Sequence, residues 1–363
     1  NTLGNMLRES GRLDDAIAAR MEAVALRSTL ADAVAVGNGH TAISSLAWYD
    51  ADVATAERHN EAAIAILSDT DDARALGFAL ANHAFLAAQR GDTAEARAAG
   101  TRALRIADQL DDDPILRGFA TIGVAVARLL EGDVTARADL LAARDAGLRQ
   151  RHDDLATTPM SNLCHLDVEQ GRFDDAEESI ASALRISEER DTPICTMWQL
   201  GVRARLRLLQ DDWPAAERDA RAVLAAGKFP LGRLWPRLVL GLLTARRDAP
   251  PENPDLDELW CLADRLDNLG KIAPAAVALA EQAWVLRRPD PRLADRRGAI
   301  LLDRTPPHGG PPPPPTPCSR RSRCSTTWGR GPSPRCSAAG CASWACTASR
   351  GAGPPPRGPT RPG

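Results

Sequence analysis

The sequence predicts an all-α array of stacked helical hairpins with a period of about 40 residues, followed by a disordered C-terminal tail. Two observations carry this. A turn followed by a helix start recurs six times along residues 1–249. Residues 305–363, in contrast, contain no Leu, Ile, Val, Phe or Met.

The recurring stretches are "GRLDDA" ending at Ala16, "ADVATA" at Ala56, "GDTAEA" at Ala96, "GDVTAR" at Arg137, "GRFDDA" at Ala176 and "DDWPAA" at Ala216. Their spacings are 40, 40, 41, 39 and 40 residues. Seven residues beyond each anchor stands a second one, small in most units: Ala23, Ala63, Ala103, Arg144, Ala183 and Val223. Such a period marks supersecondary units that cover each other's apolar faces.

Each unit reads as two helices. "ARALGFALANHAFLAAQRG" carries apolar residues at helical spacing and stops at Gly91, and Asp92 or Thr93 is placed to cap "AEARAAGTRALRIADQL". The stretch Asp111–Pro114, "DDDP", then breaks the chain before the next unit. Small residues at the anchors let paired helices approach closely. Residues 1–249 therefore divide into six hairpins, the first truncated, and residues 250–303 into one divergent terminal pair.

The remaining body chemistry is sparse. The chain holds two lysines, and neither "AAGKFP" around Lys228 nor "NLGKIAP" around Lys271 has the glycines and Ser/Thr of a phosphate loop. His40, His59, His83, His152, His165 and His308 show neither HExxH nor paired Cys/His spacing, so no metal site is expected. His83 and His165 fall on helical stripes as core or groove residues. No nucleophile motif appears, no cofactor is expected, and the chain reads as a non-enzyme. Cys164, Cys195 and Cys261 are scattered on helical patterns as small hydrophobes of a reducing, cytoplasmic compartment. No apolar run approaches the roughly 20 residues of a membrane span.

The tail, residues 304–363, reads differently. From residue 305 on it holds eight of the 45 basic residues and none of the 48 acidic ones, leaving the body at a formal net charge of −11. An acidic body argues against nucleic-acid wrapping, whose affinity rests on phosphate neutralisation. Five cysteines (Cys318, Cys324, Cys336, Cys341 and Cys346) are separated by 5, 11, 4 and 4 residues, none a C-x2-C pair. With 43 Arg against two Lys the gene is GC-rich, and a displaced reading frame explains the tail better than a metal knuckle or a disulfide knot. Read two bases into each codon, 315–329 and 333–351 yield Leu-rich helix text ending in "LRRRLRELGVHGVPRG".

Two resemblances follow from these residues. "LGNMLRESGRLDDAIAARMEAVAL" places Gly4, Ala16 and Ala23 at the small-residue spacing of the tetratricopeptide motif, whose usual period is about 34. The longer period here implies extended helices and an atypical superhelix. In tetratricopeptide arrays the first helix of each pair lines the concave face. That resemblance makes Asn38, Thr41, Tyr49, Phe85, Ser161, His165, Trp198 and Arg205 the groove candidates.

The recovered tail text resembles the segment before the helix-turn-helix of large LuxR-type regulators with a STAND-class ATPase. "TMWQLGVRARLRLLQDDWPAAERDARAVL" (Thr196–Leu224) and "LAEQAWVLRRPDPRLAD" (Leu279–Asp295) resemble the repeat region of that family. The resemblance implies a sensor or scaffold arm that takes a protein, peptide or small-molecule effector in its groove. DNA would be reached only through a helix-turn-helix absent from this sequence. The alternatives are the repeat region of a STAND ATPase fused to a nucleotide cyclase or protein kinase, and a stand-alone peptide-binding scaffold. The first residue is Asn1 rather than Met, which reads as a fragment.

Overall fold

The turns set the architecture. At nearly every junction one residue adopts the left-handed conformation: Ala31, Ala51, Gly91, Gly132, Arg151, Gly171, Asp191 and Asp211 all have φ between 50° and 91°. The N–H of the following residue reaches back to a carbonyl five positions earlier, as Asp52 does to Ala47, Asp92 to Ala87 and Asp212 to Arg207. This pattern closes a helix and satisfies its last carbonyls. The same residue then caps the next helix. Asp32, Asp52, Asp92 and Asp212 accept the backbone N–H three residues on, at 3.0–3.1 Å. A turn that ends one helix and starts another within three residues leaves no option but an antiparallel hairpin.

A computed structural model of the chain describes residues 2–226 and 229–246. The chain divides into two units, Asn1–Ala299 and Ile300–Gly363, and the described residues belong to the first. The pair expected over 250–303, the tail, Lys228, Lys271, Cys261 and His308 lie outside the described residues.

The described helices pair in order. They are α1 (Thr2–Glu9) with α2 (Leu13–Thr29), α3 (Ala33–Tyr49) with α4 (Val53–Ser68), and α5 (Ala73–Arg90) with α6 (Thr93–Gln109). Next come α7 (Pro114–Leu130) with α8 (Ala136–Gln150), α9 (Asp153–Glu169) with α10 (Phe173–Glu189), and α11 (Pro193–Leu209) with α12 (Trp213–Ala226). A 3-10 turn at Leu231–Arg233 leads into α13 (Leu234–Arg246). The fold is an all-α, tetratricopeptide-like solenoid. Among the described residues no helix is long and apolar enough to cross a membrane.

Ala16, Ala56, Ala96, Ala176 and Ala216 are all 0% exposed. The fourth hairpin corrects the alignment by one residue. Its buried anchors are Ala136 and Ala143 rather than Arg137 and Arg144, both of which are only half-buried. The "DDDP" turn carries two left-handed residues, Asp111 and Asp112, and so runs one longer. The α8 start then absorbs the extra residue, opening directly at Ala136. The period in space is therefore a constant 40, from 16 through 56, 96, 136 and 176 to 216.

Each helix packs on its sequence neighbours, and α3, α5, α7, α9, α11 and α13 also touch one another in series. Successive second helices make no comparable contact, so the first helices occupy the inner side of the curve. Gly123 shows how tight that side is. A Cβ there would lie 2.7–3.0 Å from the backbone and side chain of Ala84 on α5. The curve is strong enough to bring the array's two described ends together. Leu13, Ala16 and Leu46 share one apolar cluster with Met197, Val223 and Phe229.

Candidate functional site

The curvature encloses a space. A cavity of about 260 Å³ receives side chains from α1, α3, α5, α7, α9, α11 and the 3-10 turn, and from none of the second helices. Its aromatic surface comes from Trp48 and Tyr49 on α3, Phe78 and Phe85 on α5, Phe119 on α7 and Trp198 on α11. Trp48 and Phe85 meet edge to face with centroids 5.5 Å apart, and Phe78 and Phe119 do so at 6.1 Å. Such pairs prefer this geometry because a ring's positive edge meets the negative face of its neighbour.

Polar groups are interleaved with the rings, each fixed by a neighbour. Asn82 Nδ2 donates to Ser44 Oγ at 2.9 Å and to Asn60 Oδ1 at 2.8 Å. Gln89 Nε2 donates to Asn162 Oδ1 at 2.8 Å, linking α5 to α9. Gln199 Nε2 donates to Ser161 Oγ at 3.1 Å, and Trp198 Nε1 to the Ser161 carbonyl at 3.3 Å. Cys195 also lines the cavity. Burial pushes its thiol up to about 11, so it stays protonated at neutral pH and is a poor nucleophile. Cys164 is fully buried, and burial raises its thiol as well.

A second, more open hollow of about 560 Å³ adjoins the first and shares Arg8, Tyr49, Asp154, Ile194 and Cys195 with it. Beyond the shared Arg8 and Asp154 it carries Arg151, Asp153, Arg190 and Asp191. Arg8 pairs with Asp154 at 3.2 Å across the first and fifth hairpins, and Arg190 with Asp153 at 3.2 Å. Among the described residues no group of three or more His, Cys, Asp or Glu is arranged to hold a metal ion.

Of the eight residues named from the sequence, Thr41, Tyr49, Phe85, Ser161, His165 and Trp198 line the inner cavity. Asn38 is exposed and Arg205 is buried at 6%, and neither borders it. Arg205 pairs with Glu169, and its guanidinium stacks 4.5 Å from the centroid of Trp235 on α13. The next helix thus covers a position whose counterparts Ser45, Phe85 and His165 line the cavity. His83 faces Glu95 at 3.0 Å within its own hairpin.

Sequence reasoning missed Trp48, Phe78, Phe119, Asn82 and Gln89. Register supplies the missing signal. The eight named residues all fall at 38, 41, 45 or 49 in the 40-residue frame, and Phe78 shares the frame position of Asn38 and Trp198. Phe119 repeats the Gly-Phe step of Gly77 and Phe78, displaced by the inserted residue of the "DDDP" turn.

No protein-family model matches the chain, and no curated protein matches its sequence. Solved structures do match its fold, 24 chains in all. One is the crystal structure of a Rap protein complexed with Competence and Sporulation Factor. It superposes with a TM-score of 0.53 at 15% identity, over 81% of this chain and 74% of that one. At that identity the likeness concerns the fold: a tetratricopeptide-like stack of helical pairs.

Proposed function

We propose that the array is a ligand-binding scaffold, holding an effector or a partner segment against its first helices and catalysing nothing itself. The observation that carries this reading is the cavity, to which six successive first helices contribute side chains. A concave space with aromatic walls and a few fixed polar groups is the usual form of a ligand site. The complex of the Rap protein with Competence and Sporulation Factor supports it by analogy of fold. The protonated state of the Cys195 thiol supports binding over nucleophilic chemistry.

Thermal unfolding of the full chain against a library of short peptides and small effectors tests the reading. Ligands that raise the unfolding midpoint should lose their effect in Phe85→Ala. They should keep it in Arg102→Ala, which alters an exposed residue of α6. Equal losses in both variants sink the assignment.

The texts of Thr196–Leu224 and Leu279–Asp295 support a narrower placement, as the sensor arm of a LuxR-type regulator. There the scaffold would pass ligand occupancy to an ATPase and a helix-turn-helix elsewhere in the protein. Reading the gene's flanks decides this. An upstream phosphate loop with a downstream helix-turn-helix supports it, whereas cyclase or kinase motifs favour a fusion of that kind, and neither leaves a stand-alone scaffold.

A further inference from the structure

We infer that the group buried in this cavity is a neutral ring carrying a hydrogen-bond donor, and that ions of the same shape are turned away. The inference rests on the binding role proposed above and names the ligand chemistry of that site.

Charge comes first. The charged side chains that border the inner cavity are Arg8 and Asp154, which pair with each other at 3.2 Å and keep 24% and 39% of their surface exposed. Beyond that pair the lining contains no Lys, Arg, Asp or Glu. An ion carried past it would lose its water and find no counter-ion, and that penalty is large for a carboxylate or an ammonium. The shape of the walls is the second consideration. Trp48 with Phe85 and Phe78 with Phe119 are edge-to-face pairs from adjoining hairpins, and Trp198 borders the same space. A flat ring gains most against such walls.

The polar groups set the remaining requirement. Asn82 spends both N–H groups of its amide within the wall, on Ser44 and Asn60, whereas Gln89 spends one on Asn162. Asn162 Nδ2 donates to the Thr158 carbonyl at 2.9 Å. What Asn82 offers a ligand is therefore its carbonyl oxygen, which accepts. A ligand that brings an N–H satisfies it, and one that brings only acceptors does not. The ring belongs either to a free small molecule or to an aromatic side chain of a peptide.

Calorimetric titration of the full chain with four probes sharing one benzyl group tests this. They are phenylacetamide, methyl phenylacetate, phenylacetate and phenethylamine. Phenylacetamide should bind at least about tenfold tighter than either ion and measurably tighter than the ester. Ser45→Lys, which puts a cation into the lining, should admit phenylacetate and weaken phenethylamine further. An acetylated and amidated Gly-Phe-Gly that binds tighter than phenylacetamide identifies a peptide source, and weaker binding identifies a small molecule. Ions binding as tightly as the amide overturn the inference. So does a failure of all four probes while library ligands still depend on Phe85, and in both cases the cavity stands as a ligand site. Only matching losses in Phe85→Ala and Arg102→Ala remove the site itself.

Discussion

Ala96 is fully enclosed where α6 begins, in the same packed cluster as Ala87, Ala88 and Ala136. Replacing it with Leu adds a branched side chain at a fully enclosed position. Ala96→Leu should cost roughly 1–3 kcal/mol. Chemical denaturation measures this, and an unchanged midpoint would mean that the anchor does not govern helix approach. The alanine anchors were the most readable feature of the sequence, because a small residue recurring at a fixed period marks the places where helices must approach closely. The groove aromatics were less so. Phe78 and Phe119 look like ordinary core residues until the frame of the helix is known to within one residue, and the longer "DDDP" turn shifts that frame. Asp167 was not foreseen at all. It occupies the frame position of Ala47 and Ala87, is 0% exposed, and gathers Arg137 and Arg172 around one carboxylate.

The second hairpin carries a feature that the others lack. His40 on α3 and His59 on α4 face each other with Nδ1 atoms 2.8 Å apart. One ring must donate and the other accept, so the pair tolerates a single proton between them. Burial holds both imidazoles below the usual histidine value of 6.5. His40 and Arg58 lower His59 further, and Asp52 opposes them weakly. Because the unfolded chain binds the protons more readily, stability should be full above about pH 6.5 and fall as the pH drops below it. Denaturant midpoints measured from about pH 7 to about pH 5.5 check the sign, and His40→Gln should flatten the decline. A midpoint that rises on acidification would refute the shared-proton geometry. Neither histidine stood out in the sequence, since they lie 19 positions apart and only the hairpin brings them together.

The hairpins combine into an array that curves back on itself, and the curvature creates the cavity. The period and the helical pairing were both readable from the chain, because they repeat. The degree of curvature was not. It depends on small residues such as Gly123 on the inner side, and on contacts between the first and sixth hairpins that no local pattern encodes. On the proposed reading, ligands are held by the first helices. Hydrogen exchange of the full chain, with and without the tightest ligand from the library, tests that claim directly. Amide exchange should slow most in α3, α5, α9 and α11, with α4, α6 and α10 following only to the extent of global stabilisation. Protection concentrated in α4, α6 and α10, with the first helices unchanged, would contradict the claim and move the binding face to the outer surface.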